Sequence, residues 1–383
     1  MPDGLDIISP TVLERLRKPA GEAGGLPPEA YTSAGFLALE NRRLFARRWV
    51  CIGLAEDVAE PGSIRPVTAA GKALILLRDD AGEVRVFHNF CRHRGMRLID
   101  APCEGNKRIL CPYHSWSYAL DGRLVKTPHV AGIDQHDRAA LPREIPGLAE
   151  VRTAVWGPLV FVNLSDDAPG FEDYIRPLAE RWKSHDLSVL RRGESSNYAI
   201  GGNWKLALEN FIDTYHVPYV HPTLNSYCDM KDHYLVADND VYLGQGLENY
   251  VPEDEATGAL PPFPGLTQED SKLMEAFCVF PNLCMTLFHD NLRIILVEPD
   301  GPNRCTERVE VFMVGEAATD PALAKTRKAV VDRFREFNAE DIEIIENLQR
   351  AFETTAWDGG YFTPYMDGPV HRYQRLVAEA VAE

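Results

Sequence analysis

Apolar positions along this chain change period several times, and each change marks a different kind of element. The spacing predicts a helix from about Ser33 to Arg48, after an irregular arm over residues 1–30 rich in Pro, Gly and Glu. From Gly53 to Leu164 the pattern shortens to apolar runs such as Ala73 to Leu77, Val84 to Phe87 and Leu159 to Val162. Turns at Asp79-Asp80-Ala81-Gly82 and Asp121-Gly122 separate them, as in a small antiparallel β domain. After the break at Ser165 to Gly170, a helix is expected from about Phe171 to Ser184. Strands follow at Asn197 to Ile200, Cys278 to Phe288, Leu292 to Glu298 and Arg308 to Val314, then helices near Ala322 to Phe337 and Ala339 to Phe352. That order describes an α+β domain with helices packed on one antiparallel sheet. The expected division is an arm and helix over 1–48 that packs with the last domain, a β domain over 49–165, and an α+β domain over 166–383. The stretch Val251 to Leu266, with four Pro, is too long for a tight connection and reads as a lid or a mobile loop.

Composition narrows the function. The chain has 383 residues, 45% apolar and 25% charged, which suits two globular cores. A formal charge of −17 argues against a nucleic-acid partner, because a phosphate-binding surface needs a basic field. No stretch approaches eighteen apolar residues and no apolar leader is evident, so neither a membrane span nor export is expected. Cys51, Cys103, Cys228, Cys278, Cys284 and Cys305 show no framework spacing, and a reducing, cytoplasmic setting fits them.

Two histidine-bearing segments carry the chemistry. Cys91-Arg-His93 and Cys111-Pro-Tyr-His114 are separated by seventeen residues, and each offers one thiolate and one imidazole. Four such ligands suit either a structural Cys2His2 zinc site or a [2Fe-2S] centre with two Cys on one iron and two His on the other. The interleaved order favours the second, since zinc sites usually pair their cysteines as C-x2-C. Further on, Asn203 to His221 carries His216 and His221, five apart, with Pro218 between them to bend the backbone and turn both imidazoles one way. A mononuclear Fe(II) site needs one carboxylate besides two imidazoles. Asp341 shares an inward face with Ile345, Leu348 and Phe352, while Glu343, Glu346, Asn347 and Arg350 take the solvated side. The alternative is that Asn338 caps this helix and Asp341 only complements its positive end.

These motifs resemble the oxygenase component, or alpha subunit, of the Rieske non-haem iron oxygenases, from about Tyr31 onward. The family pattern N-W-K-x-x-x-E-N followed by D-x-Y-H-x4-H falls on Asn203, Trp204, Lys205, Glu209, Asn210, Asp213, Tyr215, His216 and His221, and its later E-D on Glu340 and Asp341. The resemblance implies a Rieske [2Fe-2S] domain held by Cys91, His93, Cys111 and His114, and a helix-grip (START-like) catalytic domain. There His216, His221 and Asp341 hold a mononuclear Fe(II). It also implies a homotrimer in which Asp213 passes electrons from a neighbouring subunit's cluster. Asp213 is expected one helical turn before His216, where it can also be read as a simple helix-end acid. Dioxygen is the co-substrate, and no G-x-G-x-x-G is present, so NAD(P)H electrons must arrive through a separate reductase or ferredoxin. The ending Tyr361 to Tyr373 is similar to members acting on quaternary ammonium compounds such as choline, betaines and carnitine, with hydroxylation of an aromatic carboxylate or ether as the alternative. Tyr227, Tyr234, Phe288 and Trp357 are candidates for a cation-binding cage, or else core residues. A Rieske electron carrier without oxygenase chemistry, or a zinc-stabilised binding module, would need only part of this ligand set.

Overall fold

The computed structural model describes residues 7–140, 143–226, 228, 230–250, 259–354 and 356–383. Two compact units emerge: Phe45–Ala168, and a second formed by the chain before and after it.

Among its described residues the Phe45–Ala168 unit holds nine short strands: β1 (Val50–Leu54), β2 (Ile64–Ala69), β3 (Lys72–Arg78), β4 (Val84–His88), β5 (Ile109–Leu110), β6 (Ser117–Tyr118), β7 (Leu124–Lys126), β8 (Arg152–Trp156) and β9 (Leu159–Asn163). They form three antiparallel sheets, ordered β1-β9-β8, β2-β3-β4 and β5-β6-β7. The Asp79 turn closes the β3–β4 hairpin because its carboxylate accepts the backbone N–H of both Ala81 and Glu83, at 2.9 Å each. Ile75, Leu77, Phe87, Ile109, Tyr118 and Leu124 pack into one core, and Cys91, Cys111 and Trp116 belong to the same cluster. The two thiols are thus held by the core, although their loops reach the surface.

In the second unit a seven-stranded antiparallel sheet runs β10-β16-β15-β14-β13-β12-β11. Its strands are β10 (Leu190–Ile200), β11 (His233–Val236), β12 (Tyr242–Leu247), β13 (Met274–Val279), β14 (Leu283–Leu287), β15 (Asn291–Pro299) and β16 (Cys305–Val314). The helices are α1 (Pro10–Leu16), α2 (Ala34–Glu40), α3 (Phe171–Arg181), α4 (Trp204–Ile212), α5 (Ala324–Phe352) and α6 (Gly368–Ala382). α4 lies on β13 and β15 and packs against α5, which places the end of one helix beside the middle of the other. Among the described residues no helix is long and apolar enough to cross a membrane.

Five expectations change. The segments 322–337 and 339–352 are one 29-residue helix, α5, because nothing between Phe337 and Glu340 breaks it. Asn338 is buried inside that helix and donates to Glu307 at 3.1 Å, which removes the capping alternative. Leu348 is 38% exposed, and Gln349 takes the inward place, where it accepts the Asn203 N–H at 2.8 Å. Residues 278–288 are two strands, not one, since Pro281 and Asn282 are turn formers. The arm is also no loose segment: Leu16 and Leu26 are fully buried.

A buried polar network holds the chain just after the arm, and the arm itself joins it where the Leu26 N–H donates to the Gln374 side-chain oxygen at 2.8 Å. Lys205 and Glu40 are an ion pair at 2.7 Å with neither side chain exposed, and the Trp204 indole donates to the same carboxylate at 3.1 Å. One turn later Glu209 accepts from the Tyr31 hydroxyl at 2.8 Å and from the Gln374 amide at 2.9 Å. Residues 31, 40, 205, 209 and 374 are thereby tied together, and each buried charge or dipole has a partner.

Candidate metal centres

The two cysteine loops have the same backbone. In each, the Cys N–H donates to the carbonyl five residues on, Cys91 to Met96 and Cys111 to Trp116, at 2.8 Å. In each, the residue four on donates back to the Cys carbonyl, Gly95 at 2.9 Å and Ser115 at 3.0 Å. That closure requires a left-handed residue at the fourth place, and Gly95 (φ 75°) and Ser115 (φ 55°) both supply it. His93 and His114 meet edge to face at 4.8 Å, and His93 stacks on Trp116 at 4.6 Å. The Tyr118 hydroxyl accepts the Arg92 N–H at 2.9 Å and stands 3.1 Å from the Cys91 sulfur. Burial pushes the Cys91 thiol up, with the Tyr118 hydroxyl opposing and Cys111 adding to the shift. His93 is held below its usual value by burial, then by His114 and Arg94. The His114 Nδ1 is buried with no protein partner. A cavity of about 1230 Å³ lies against Cys91, His93, His114 and Trp116. The Cys91 thiol and two imidazoles, one with an orphaned ring nitrogen, border this space, and the Cys111 thiol interacts with that of Cys91; such a donor set fits a metal cluster.

The second centre forms where α4 stops. Asp213 follows the last helical residue in an extended conformation and accepts the Tyr215 N–H at 2.7 Å, so it is not on a helical face with His216 as expected. The Asx turn brings it there instead: Asp213 Oδ2 is 3.3 Å from His216 Nδ1. Val217–Val220 is a single helical turn with Pro218 in its opening positions. The bend comes later, at His221, whose ψ of 65° leaves the helix because Pro222 follows. Pro222 is thus the residue that the sequence reading passed over.

Three donor atoms then face each other. His216 Nε2 and His221 Nε2 are 3.2 Å apart, and Asp341 Oδ1 is 3.4 Å from the first and 2.9 Å from the second. Ligands at right angles on a divalent cation with bonds of about 2.1 Å stand about 3.0 Å apart, so this triangle suits one face of a single metal ion. Each ring is held from behind by a carboxylate on Nδ1, His216 by Asp213 and His221 by Glu340 at 2.6 Å. This fixes Nε2 as the atom turned to the centre. Burial alone would lower the His216 pKa, yet Asp213 and Asp341 overcome it and lift it to about 9. Burial would likewise raise Asp341, but His216 and His221 hold it below the usual carboxylate range. Positive charge is wanted at this point, and the residues fit Fe(II).

Beside the triad lies a cavity of about 140 Å³ lined by Phe211, Tyr250, Phe288, Phe334 and Phe337, with Asn210, Arg293 and Arg333 among its polar walls. Of the three cage candidates among the described residues, Phe288 alone is placed here. Tyr234 instead hydrogen-bonds Glu275, and Trp357 stacks on Phe352 at 3.9 Å. Tyr227 and residues 251–258, the first half of the Val251 to Leu266 loop, lie outside the described residues. Sequence reasoning also missed Glu340 as the support of His221, Tyr118 as the hydroxyl beside Cys91, and both arginines.

Comparison with known proteins now decides the family. Residues 187–383, more than half of the chain, match the ring hydroxylating alpha subunit (catalytic domain). The chain belongs to the ring-hydroxylating alpha-subunit family. This ring-hydroxylating alpha subunit also matches the Rieske [2Fe-2S] domain over residues 48–137. It is the oxygenase component of an oxidoreductase with a Rieske [2Fe-2S] cluster and a non-haem iron as cofactors, and a separate reductase supplies its electrons. It is 28% identical over 387 residues to the chloroplastic choline monooxygenase of Arabidopsis thaliana, with 97% of this chain and 86% of the relative covered. It is 32% identical over 231 residues to the glycine betaine monooxygenase oxygenase subunit of Chromohalobacter salexigens, covering 60% of this chain and 50% of that one. Its fold resembles the quaternary ammonium Rieske monooxygenase CntA in complex with L-carnitine, with a TM-score of 0.77 and 19% identity, covering 96% and 98% of the two chains.

Proposed function

We propose that this alpha subunit oxidises a small quaternary ammonium compound beside the His216–His221–Asp341 centre, with Cys91, His93, Cys111 and His114 holding the cluster. The observation that carries the reading is the inward-facing donor triangle opening onto a small aromatic cavity. A space of about 140 Å³ compares with an engineered cavity that takes benzene, so it suits a ligand of about ten heavy atoms or fewer. Aromatic walls suit methylated ammonium groups, whose charge is spread over apolar methyls.

When bound, the cluster would supply single electrons and the iron would activate dioxygen. Asp213 and Glu340 keep the two imidazoles turned so that their Nε2 atoms stay on the metal side. Phe288, Phe334 and Phe337 exclude bulk water from the substrate's methyl groups. Asp213 also stands at the surface end of α4, beside Tyr215 and Tyr219, which are 44% and 77% exposed. We read that exposed aromatic pair as covered by another copy in a homotrimer, with Asp213 relaying electrons from the neighbour's cluster.

The test is turnover of choline, glycine betaine and carnitine by iron-loaded protein with a reductase and NADH, scored by product and by oxygen uptake. We expect about three irons per chain, a Rieske spectrum, and turnover of at least one of these. Replacing Asp341 by Ala should leave the Rieske spectrum intact and abolish turnover. Turnover of aromatic acids alone would replace the substrate reading, and full activity in Asp341→Ala would remove that residue from the site.

A further inference from the structure

We infer that the substrate carries a carboxylate seated on Arg293 and Arg333, which makes it a betaine rather than choline; the betaine part rests on the quaternary ammonium reading above. Both arginines line the cavity that holds His216, His221 and Asp341. They are its only basic side chains other than the histidines, and Asp341, committed to the donor triangle, is the only acid among the described lining residues. The aromatic walls take a methylated ammonium of either compound, but only a zwitterion also brings a negative group to the two guanidinium charges. The Arg293 guanidinium is fixed, 4.3 Å from the Phe288 ring and 5.5 Å from the Phe334 ring, with its Nε donating to Asn291 at 3.2 Å. A planar guanidinium held in this way is preorganised for a carboxylate.

The order of groups along α5 gives the direction. Arg333, Phe334, Phe337 and Asp341 all face the cavity, and eight residues of helix place the first about 12 Å from the last. Carboxylate recognition, an apolar ring wall and the donor triangle therefore follow one another along one helix. A betaine laid along it puts its carboxylate at the arginines and its N-methyl groups at the metal end. The oxidation is then an N-demethylation. One methyl C–H bond breaks and a C–O bond forms with one atom of dioxygen. The other atom leaves as water, using two protons and two electrons from the reductase. The N–CH2OH product releases formaldehyde and a proton and leaves a tertiary amine.

The experiment is calorimetric titration of the iron-loaded protein with glycine betaine, γ-butyrobetaine, choline and benzoate, alongside steady-state turnover with formaldehyde as the readout. A betaine should bind at least tenfold more tightly than choline. Arg333→Gln and Arg293→Gln should each raise its Kd and KM about tenfold or more, in the range of one charge-assisted hydrogen bond, with kcat less affected. Arg293→Lys retains the charge and should recover part of the loss, and an unchanged Rieske spectrum shows each variant is folded. Choline binding as tightly as either betaine, or a betaine Kd unmoved in Arg333→Gln, overturns the carboxylate seat and leaves the quaternary ammonium reading standing. Turnover of benzoate but of no ammonium compound, with the same arginine dependence, keeps the seat and removes that reading.

Discussion

His221 shows how much of this site is decided by side chains outside the donor triangle. Its ring is clasped between neighbours on α5, Glu340 on Nδ1 and Asp341 beside Nε2. Glu340→Gln keeps the size but removes the charge that makes the imidazole basic. It should weaken mononuclear iron retention about 10- to 100-fold, measured by iron content after dialysis against a chelator, with the cluster unchanged. Asp213→Asn is a different kind of change, because its side-chain oxygen still accepts the Tyr215 N–H and the turn survives. Both centres should load, while oxidation of the reduced cluster by oxygen and substrate in a single turnover slows at least tenfold. Oxidation at the parent rate would remove Asp213 from electron transfer. Residue type and spacing singled out His216, His221 and Asp341, and the structure brings their donor atoms together. It did not disclose Arg293 or Arg333, because a lone arginine on a strand or a helix carries no signal until the fold shows which cavity it enters.

At the scale of elements, α4 is where burial and charge meet. Lys205→Met leaves the Glu40 carboxylate buried without its cation and should cost about 3–5 kcal/mol, read as a lower Tm of the catalytic unit. Adding Glu40→Gln should restore part of that. Burial lifts the Glu209 carboxyl to about 7, against the bonds from Tyr31 and Gln374 that pull it down. A carboxyl with a raised folded pKa binds its proton more tightly in the folded state. Its contribution is complete below about 4.5 and is lost as pH rises through 7. Glu209→Gln should therefore remove about 3 kcal/mol of the stability decline between those pH values, followed by Tm against pH in both proteins. Strands with long apolar runs were legible from the sequence, as β3 and β15 show. The Asn338 position misled because a polar residue inside a helix looks like a cap until its partner, Glu307, is known. His221 was assigned the wrong bend for a similar reason: Pro218 opens a turn, and Pro222 ends one.

For the whole molecule, the two units differ in how the chain supplies them. Phe45–Ala168 is one continuous stretch, whereas the other unit needs residues from both sides of it. A fragment of residues 45–168 should fold alone and take up a cluster with the Rieske spectrum. A catalytic unit lacking residues 1–44 should be insoluble or iron-free, which solubility and metal analysis will show. The network joining Tyr31 and Glu40 to Lys205, Glu209 and Gln374 adds a consequence in time. On a ribosome the β unit has all its residues long before Gln374 emerges, so it can mature while the catalytic unit still waits for its closing helix. Synthesis order thus lets the electron-transfer unit be finished before the oxygen-handling site exists, and a nascent chain would have no catalytic iron to react with dioxygen before its partner cofactor was in place.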